Sequence, residues 1–305
     1  MNTKELEIWN AYSLLRSRRC EVCTMIPGRV CPSMAISNES CFRPIYDYRM
    51  NMKMLVRIAL TAGLSLSLWL SFQVQRKVFA SSDGLIAACA FDEGSGITAM
   101  DASGNNNTAI LMNAATWAPG HSGSAVSFDG DSGYVMAGNI TALNGLTAVT
   151  VSAWVRGSVG ASSPDAFVVG KDQAFALVVG LTAPHKAQFA VKAGGTWYGF
   201  PSSITSVDDG AFHFLTGVYD GTTLYVYVDG VLEGSQNIGG LTLNSPVSNL
   251  EIASCVGGSD CDVSGEMWQG LIDDVRIYNR ALSAAEIVSD MNAPVSNPDL
   301  RLPFP

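Results

Sequence analysis

The stretch GVYDGTTLYVYVDG, Gly217 to Gly230, carries the reading of the fold in this 305-residue chain. Asp220-Gly221 supplies the positive backbone dihedrals of a tight turn, so the flanking runs Phe212 to Tyr219 and Thr223 to Val228 pair as a β-hairpin. Side chains alternate along a strand. Leu224, Val226 and Val228 therefore share one face, which belongs against a second sheet, while Tyr225 and Tyr227 share the other. The two tyrosines are placed on an outer surface or a concave sheet, where they are candidate ligand contacts.

The same grammar extends in both directions from this hairpin. Short apolar or alternating runs recur between clusters of Gly, Asn, Asp and Ser. They fall at Leu85 to Phe91, Ala125 to Phe128, Tyr134 to Met136, Val149 to Arg156, Ala166 to Lys171, Phe175 to Val179, Lys186 to Lys192, Asn249 to Ala253 and Gly270 to Tyr278. Helical periodicity is almost absent, so the fold class is all-β, and about eleven strands require two stacked sheets. One helix stands out. Ser283-Ala284-Ala285-Glu286 is a capping box, which predicts a short helix from Ala284 to about Met291. Beyond Asn292, prolines without periodicity predict a tail over 293–305.

Upstream of Leu85 the chain changes character. Residues 1–80 hold 11 Lys or Arg against 5 Asp or Glu, whereas residues 81–305 hold 7 against 22. Lys53 and Arg57 precede an apolar run from Ile58 to Phe72, and Val78-Phe79-Ala80 supplies a cleavage site, so residues 50–80 are read as a secretory signal peptide. The apolar run is shorter than the roughly 20 residues of a membrane span. An uncleaved anchor over 58–72, with the domain held outside the membrane, is the alternative. Met50, Met52 and Met54 are candidate starts, which makes residues 1–49 a gene-model extension or a disordered segment. The expected mature part is a single domain over 81–292, extracellular and secreted.

Its acidity argues against nucleic acid, since phosphate binding depends on clustered Lys and Arg. Three cysteines remain in it. Cys255 and Cys261 bracket a Gly-rich turn and, in an oxidising compartment, are expected to form a local disulfide. Cys89 sits in the apolar run LIAACAF and is read as a buried free thiol.

The order of segments FDEGSG (Phe91 to Gly96), DASGNNN (Asp101 to Asn107), AVSFDGDSGYV (Ala125 to Val135), VSAWV (Val151 to Val155), GVYDGTTLYVYVDG and GLIDDVRIYNRALSAAEI (Gly270 to Ile287) resembles the laminin-G-like domains of the concanavalin A-like superfamily. The resemblance implies a two-sheet antiparallel jelly roll whose curved sheet can bind carbohydrate, often with a calcium ion on the rim. It also implies an extracellular binding or adhesion role.

Calcium takes oxygen ligands from carboxylates, carbonyls and water, and Asp92, Asp129 and Asp273 stand at strand ends. In the jelly-roll order the first and last strands are neighbours, so these three are the candidate calcium ligands; the alternative for Asp129 is a turn cap before Gly. Sugar binding needs aromatic faces with a few polar groups. Trp197, Tyr198 and Phe200, after the turn at Gly194-Gly195, form the most conspicuous group, and Trp268 is the next candidate. Trp197 and Phe200 cannot both point inward with Tyr198 on a regular strand. Glycoside hydrolysis needs two carboxylates on one face, and no strand offers such a pair. The histidines, His121, His185 and His213, have no triad context, and His213 is read as structural. The sequence thus points to a non-catalytic module that binds glycans. A protein-adhesion or surface-assembly module is the competing reading, and a hydrolase or lyase of the same fold is the third.

Overall fold

The computed structural model describes residues 82–159, 165–180, 184–256 and 266–296. The chain divides into two units, Met1–Val74 and Gln75–Pro305, and every described residue lies in the second. The expected signal peptide, the segment before it and Cys261 lie outside the described residues.

Sixteen strands are described in chain order: β1 (Leu85–Cys89), β2 (Thr98–Ala99), β3 (Ala109–Met112), β4 (Thr116–Pro119), β5 (Ser124–Asp129), β6 (Tyr134–Met136), β7 (Val149–Val159) and β8 (Asp165–Lys171). They continue as β9 (Phe175–Gly180), β10 (Lys186–Ala193), β11 (Thr196–Ser206), β12 (His213–Tyr219), β13 (Thr223–Val228), β14 (Val231–Asn237), β15 (Leu250–Ile252) and β16 (Trp268–Tyr278). One helix, α1 (Ala284–Asn292), follows. The front sheet runs β14-β13-β12-β7-β16-β5-β4, with β1 also on β16, and the back sheet runs β11-β10-β9-β8-β15-β6-β3-β2. First and last strands are antiparallel neighbours, as the jelly-roll order implies.

The opening hairpin is β12–β13, closed by the pair Tyr219 and Leu224. Asp220 Oδ1 accepts from the amides of Thr222 and Thr223 and so sets the turn. Leu224, Val226 and Val228 enter the core between the sheets. Tyr225 and Tyr227 lie on the opposite face of the front sheet, beneath α1, in a cluster with Trp154, Phe214, Tyr278 and Ile287. The capping box forms as expected: Ser283 Oγ accepts from the Glu286 amide, and Glu286 Oε2 accepts from the Ser283 amide.

Five strands were not anticipated: β2, β3, β4, β11 and β14. β14 is a polar edge strand, and β11 carries Gly199 and Pro201, so neither shows clean alternation. An edge tolerates proline because one side of the strand needs no ladder donor. The expected tail also needs correction at its start. Val295 is buried against Ala88 and Ala90, and its amide donates to Asp274 Oδ1 at 2.8 Å; residues 297–305 lie outside the described residues.

Candidate functional site

Alternation on the back sheet sends Phe175, Leu177 and Val179 of β9 inward and leaves Ala176 and Val178 outside with Phe167 of β8. On β15, Leu250 and Ile252 go to the core, so Glu251 between them faces out. Its strand neighbours are Met136 on β6 and Gly170 on β8. Gly170 leaves room for the Phe167 ring, which lies where a side chain at 170 would start.

The decisive local feature is in β11. Gly199 has φ +111° and Phe200 φ +72°, and pairing with β10 slips between Gln188 and Ala190. A bulge of this kind re-aims the side chains that follow it. Tyr198 packs on the main core, whereas Trp197 and Phe200 both line one cavity on the outer face. Glycine is called for at 199 because L side chains rarely adopt a φ of +111°, and a Cβ there would also meet Leu224 Cδ1 at 2.1 Å.

That cavity, about 210 Å³, is completed by Asp165, Phe167, Asp172, Ala176, Val178, Cys255 and Glu266. It shares Phe167, Asp172 and Cys255 with a second cavity of about 340 Å³ that reaches Gly170, Gln173, Ser248, Asn249, Glu251 and Ser254. Together they form a groove across the outer face of the back sheet, aromatic at one end and carboxylate-rich along its length. Burial pushes the Glu251 carboxyl up to about 7; bonds from the Val256 amide and Ser254 Oγ oppose this, and the Asp172 charge adds to it. Burial raises the Asp165 pKa as well. Lys192 Nζ sits 5.8 Å above the Trp197 ring and donates to Gln173 Oε1 at 2.6 Å. Such a surface offers apolar ring faces beside acceptors for hydroxyl donors.

Of the aromatic candidates, Trp197 and Phe200 are thus brought together. The others are corrected. Tyr198 is turned to the core by the bulge, and Trp268 is fully buried there. Tyr225 and Tyr227 belong to the other sheet: Tyr225 donates to Asp220 Oδ2, and Tyr227 is 9 % exposed under the helix. Sequence reasoning missed Phe167, Asp172 and Glu251. The readable signal was Glu251, a lone charge in an apolar strand, which has to face away from the core.

The three expected calcium ligands do not converge. Asp273 Oδ2 accepts from the amides of His121 and Ser122, and Asp92 Oδ1 accepts from the Ser124 amide, so both grip the turn between β4 and β5. Asp129 is at the other end of β5, about 16 Å away at 3.3 Å per residue. There it caps a turn, accepting from the amides of Asp131, Ser132 and Gly133. Burial is the largest single influence on its carboxyl and acts upward, but these bonds together with that from Ser132 Oγ outweigh it and hold the carboxyl down at about 2. Among the described residues no group of three His, Cys, Asp or Glu is placed to hold a metal. Cys255 is buried at the junction of the two cavities, and its expected partner Cys261 lies outside the described residues. Cys89 is a buried free thiol. His213 is held between Asp229 and Asp209, on the front sheet and away from the groove.

A laminin-G-type family model, described as the concanavalin A-like lectin/glucanases superfamily, matches residues 129–288, just over half of the chain. The chain belongs to this superfamily. Among solved structures, this concanavalin A-like chain is similar to domain 4 of AbnA, an extracellular arabinanase from Geobacillus stearothermophilus, in complex with arabinotriose. The match has 18 % identity and a TM-score of 0.54, covering 68 % of this chain and 98 % of that one. It is also similar to the binding domain of Paraclostridial Mosquitocidal Protein 1, with 15 % identity and a TM-score of 0.55 over 70 % of this chain and 52 % of that one. A third neighbour is the binding domain of Botulinum Neurotoxin DC in complex with SialylT, at 13 % identity and a TM-score of 0.51, with 70 % and 52 % covered. The chain spans about half the length of the two toxin domains. At these identities the likeness is one of fold. A search of curated proteins found no match.

Proposed function

We propose that this chain is a secreted, non-catalytic module that binds an oligosaccharide in the groove on its back sheet. The observation that carries this reading is the bulge at Gly199, which turns Trp197 and Phe200 to the same side, above a floor of Phe167 and in one cavity with Asp172, while Glu251 lines the adjoining cavity. Stacking of apolar sugar faces on rings, with hydroxyls donating to carboxylates, is the recognition such a lining supports. The arabinotriose bound by the arabinanase domain, on the same fold, favours a glycan over a protein partner.

The reading includes cleavage after Ala80 and a Cys255–Cys261 bridge beside the groove, both testable on secreted material by amino-terminal sequencing and mass spectrometry. A calcium ion, if the module uses one, takes a ligand set other than Asp92, Asp129 and Asp273. The binding test is a glycan array followed by calorimetry on the best ligand. Trp197→Ala is expected to weaken binding roughly tenfold, the scale of losing one aromatic anchor. Binding of the ligand with unchanged affinity by the folded variant would place the site elsewhere.

One observation favours a second reading. Glu251, whose carboxyl burial pushes up to about 7, and Asp172 line the same cavity, and glycoside hydrolysis uses a pair of carboxyl groups of which one donates a proton. Release of reducing ends from a bound polysaccharide, lost in Glu251→Gln, would establish it.

A further inference from the structure

We propose that the chain carries a second ligand site, on the outer face of its front sheet, which takes a single sugar residue at a bulge in β16. Along β16, Ile272 enters the core, and so do Val275 and Ile277. The inward positions thus change from even to odd numbers where the pairing with β7 slips, between Asp273 and Arg276. A bulge sets two residues against one and re-aims a side chain. Asp273 and Asp274, which would alternate on a regular strand, are therefore both turned out of the core.

The two carboxylates are occupied differently. Asp273 is taken up by three amides, those of His121, Ser122 and Asp274. Asp274 uses one oxygen: Oδ1 accepts from the Val295 amide at 2.8 Å, while Oδ2 has no hydrogen-bond partner among the described residues. Arg276, two positions along the strand, donates to the Ala293 carbonyl instead. Asp274 is 2 % exposed, and a buried carboxylate oxygen left without a donor is costly. Its φ of +49° adds backbone strain, which gathers where structure serves a ligand.

Asp274 lines a cavity of about 250 Å³ with His121, Trp154, Met291, Asn292 and Pro294. The His121 imidazole stacks on the Trp154 indole, with centroids 3.6 Å apart and planes 13° apart. His121, Asn292 and Pro294 are exposed, whereas Trp154 and Asp274 are buried, so the indole and the carboxylate lie beneath a more polar mouth. Apolar surface beside a few polar groups suits a sugar: a hydroxyl supplies the donor that Asp274 lacks, and the C–H face of the ring meets the indole and Met291. The volume falls short of the roughly 300–1,000 Å³ of pockets for drug-sized ligands, which limits the occupant to one ring. The cavity shares no residue with the groove and belongs to the other sheet.

The test titrates protein carrying Trp197→Ala, which disables the groove, with methyl glycosides of hexoses and pentoses, followed by NMR shifts of the Trp154 indole and the Asp274 amide. At least one glycoside is expected to move both signals at millimolar concentration. Asp274→Asn keeps the shape but removes the charged acceptor, and is expected to weaken that binding about tenfold. Asn292→Phe, at the exposed mouth, blocks entry without touching the buried carboxylate and serves should Asp274→Asn fail to fold. Shifts with none of the glycosides overturn the site, as does equal binding by both variants. Shifts with calcium chloride and with no glycoside overturn it in favour of an ion. Each of these outcomes leaves the groove on the back sheet standing, since its Trp197 is already absent.

Discussion

The Phe167 ring occupies the space that a side chain on Gly170 would need: a Cβ at 170 would lie 2.4 Å from Phe167 Cε1 and 2.7 Å from the Phe175 carbonyl oxygen. The groove floor therefore depends on a missing methyl group. Gly170→Ala is expected to cost about 1–3 kcal/mol, the range for overpacking, and to lift Phe167 into the groove. Denaturant midpoints measure the first effect and ligand affinity the second. An unchanged midpoint would mean that the ring has somewhere else to go.

Asp92 and Asp273 meet across the turn between β4 and β5 because their carboxylates accept its backbone amides. Asp273→Ala leaves the His121, Ser122 and Asp274 amides without their acceptor, at a cost of about 1–3 kcal/mol for each that stays dry. The corresponding melting loss should be the same in EDTA and in millimolar calcium. A loss seen only with calcium would restore a metal role for Asp273.

Trp268 is enclosed by the core, and its Nε1 has no hydrogen-bond partner among the described residues. Trp268→Ala is expected to destabilise by about 3–5 kcal/mol. Trp268→Phe removes the unpaired donor and should cost far less. Neither change should alter which glycan is bound, as array profiles of the folded Phe variant will show.

Among the groups whose raised folded pKa makes stability fall as pH rises, which include Asp273 and Asp274, Glu251 and His213 act in different windows. Glu251 has its folded pKa raised to about 7, so its stabilising effect is complete below the unfolded value of about 4.3 and lost by pH 7. Glu251→Gln should flatten that decline and gain about 1–2 kcal/mol at pH 8, after allowance for solvent screening. For His213, burial acts to lower the pKa, but bonds and charges from Asp229 and Asp209 outweigh it and raise it. Its contribution is complete below about pH 6.5 and disappears as pH rises through the folded value. Thermal melts from pH 4 to 9 should show the Glu251→Gln gain growing between about pH 4.3 and 7 and persisting above it, and the His213→Gln effect on the decline above 6.5. If His213→Gln leaves the upper limb of the profile unchanged, the two aspartates do not hold the ring as charged.

Much of the fold was legible because its signals are local. The hairpin at Asp220-Gly221, the capping box at Ser283 and the period-two runs all depend on residues a few positions apart. The burial of Val151, Ala153 and Val155, with Trp154 on the opposite face, follows from alternation alone. Edge strands were less legible, because β11 and β14 pair on one side and carry little apolar pattern to mark them.

By itself, the sequence determined an all-β sandwich, a capped helix, and a cluster of aromatics near residue 200, and its resemblance to laminin-G-like domains implied that first and last strands are adjacent. Only the tertiary structure decided which of those aromatics share a surface. One glycine with positive φ, closely approached by Leu224 from another strand, breaks the alternation and turns Phe200 to the side of Trp197. It likewise assigned Asp92, Asp129 and Asp273 to backbone amides, and exposed Glu251 to a groove built from β8, β9, β11 and the loops beside β15. Those outcomes rest on contacts between residues distant in the chain, which no local pattern encodes.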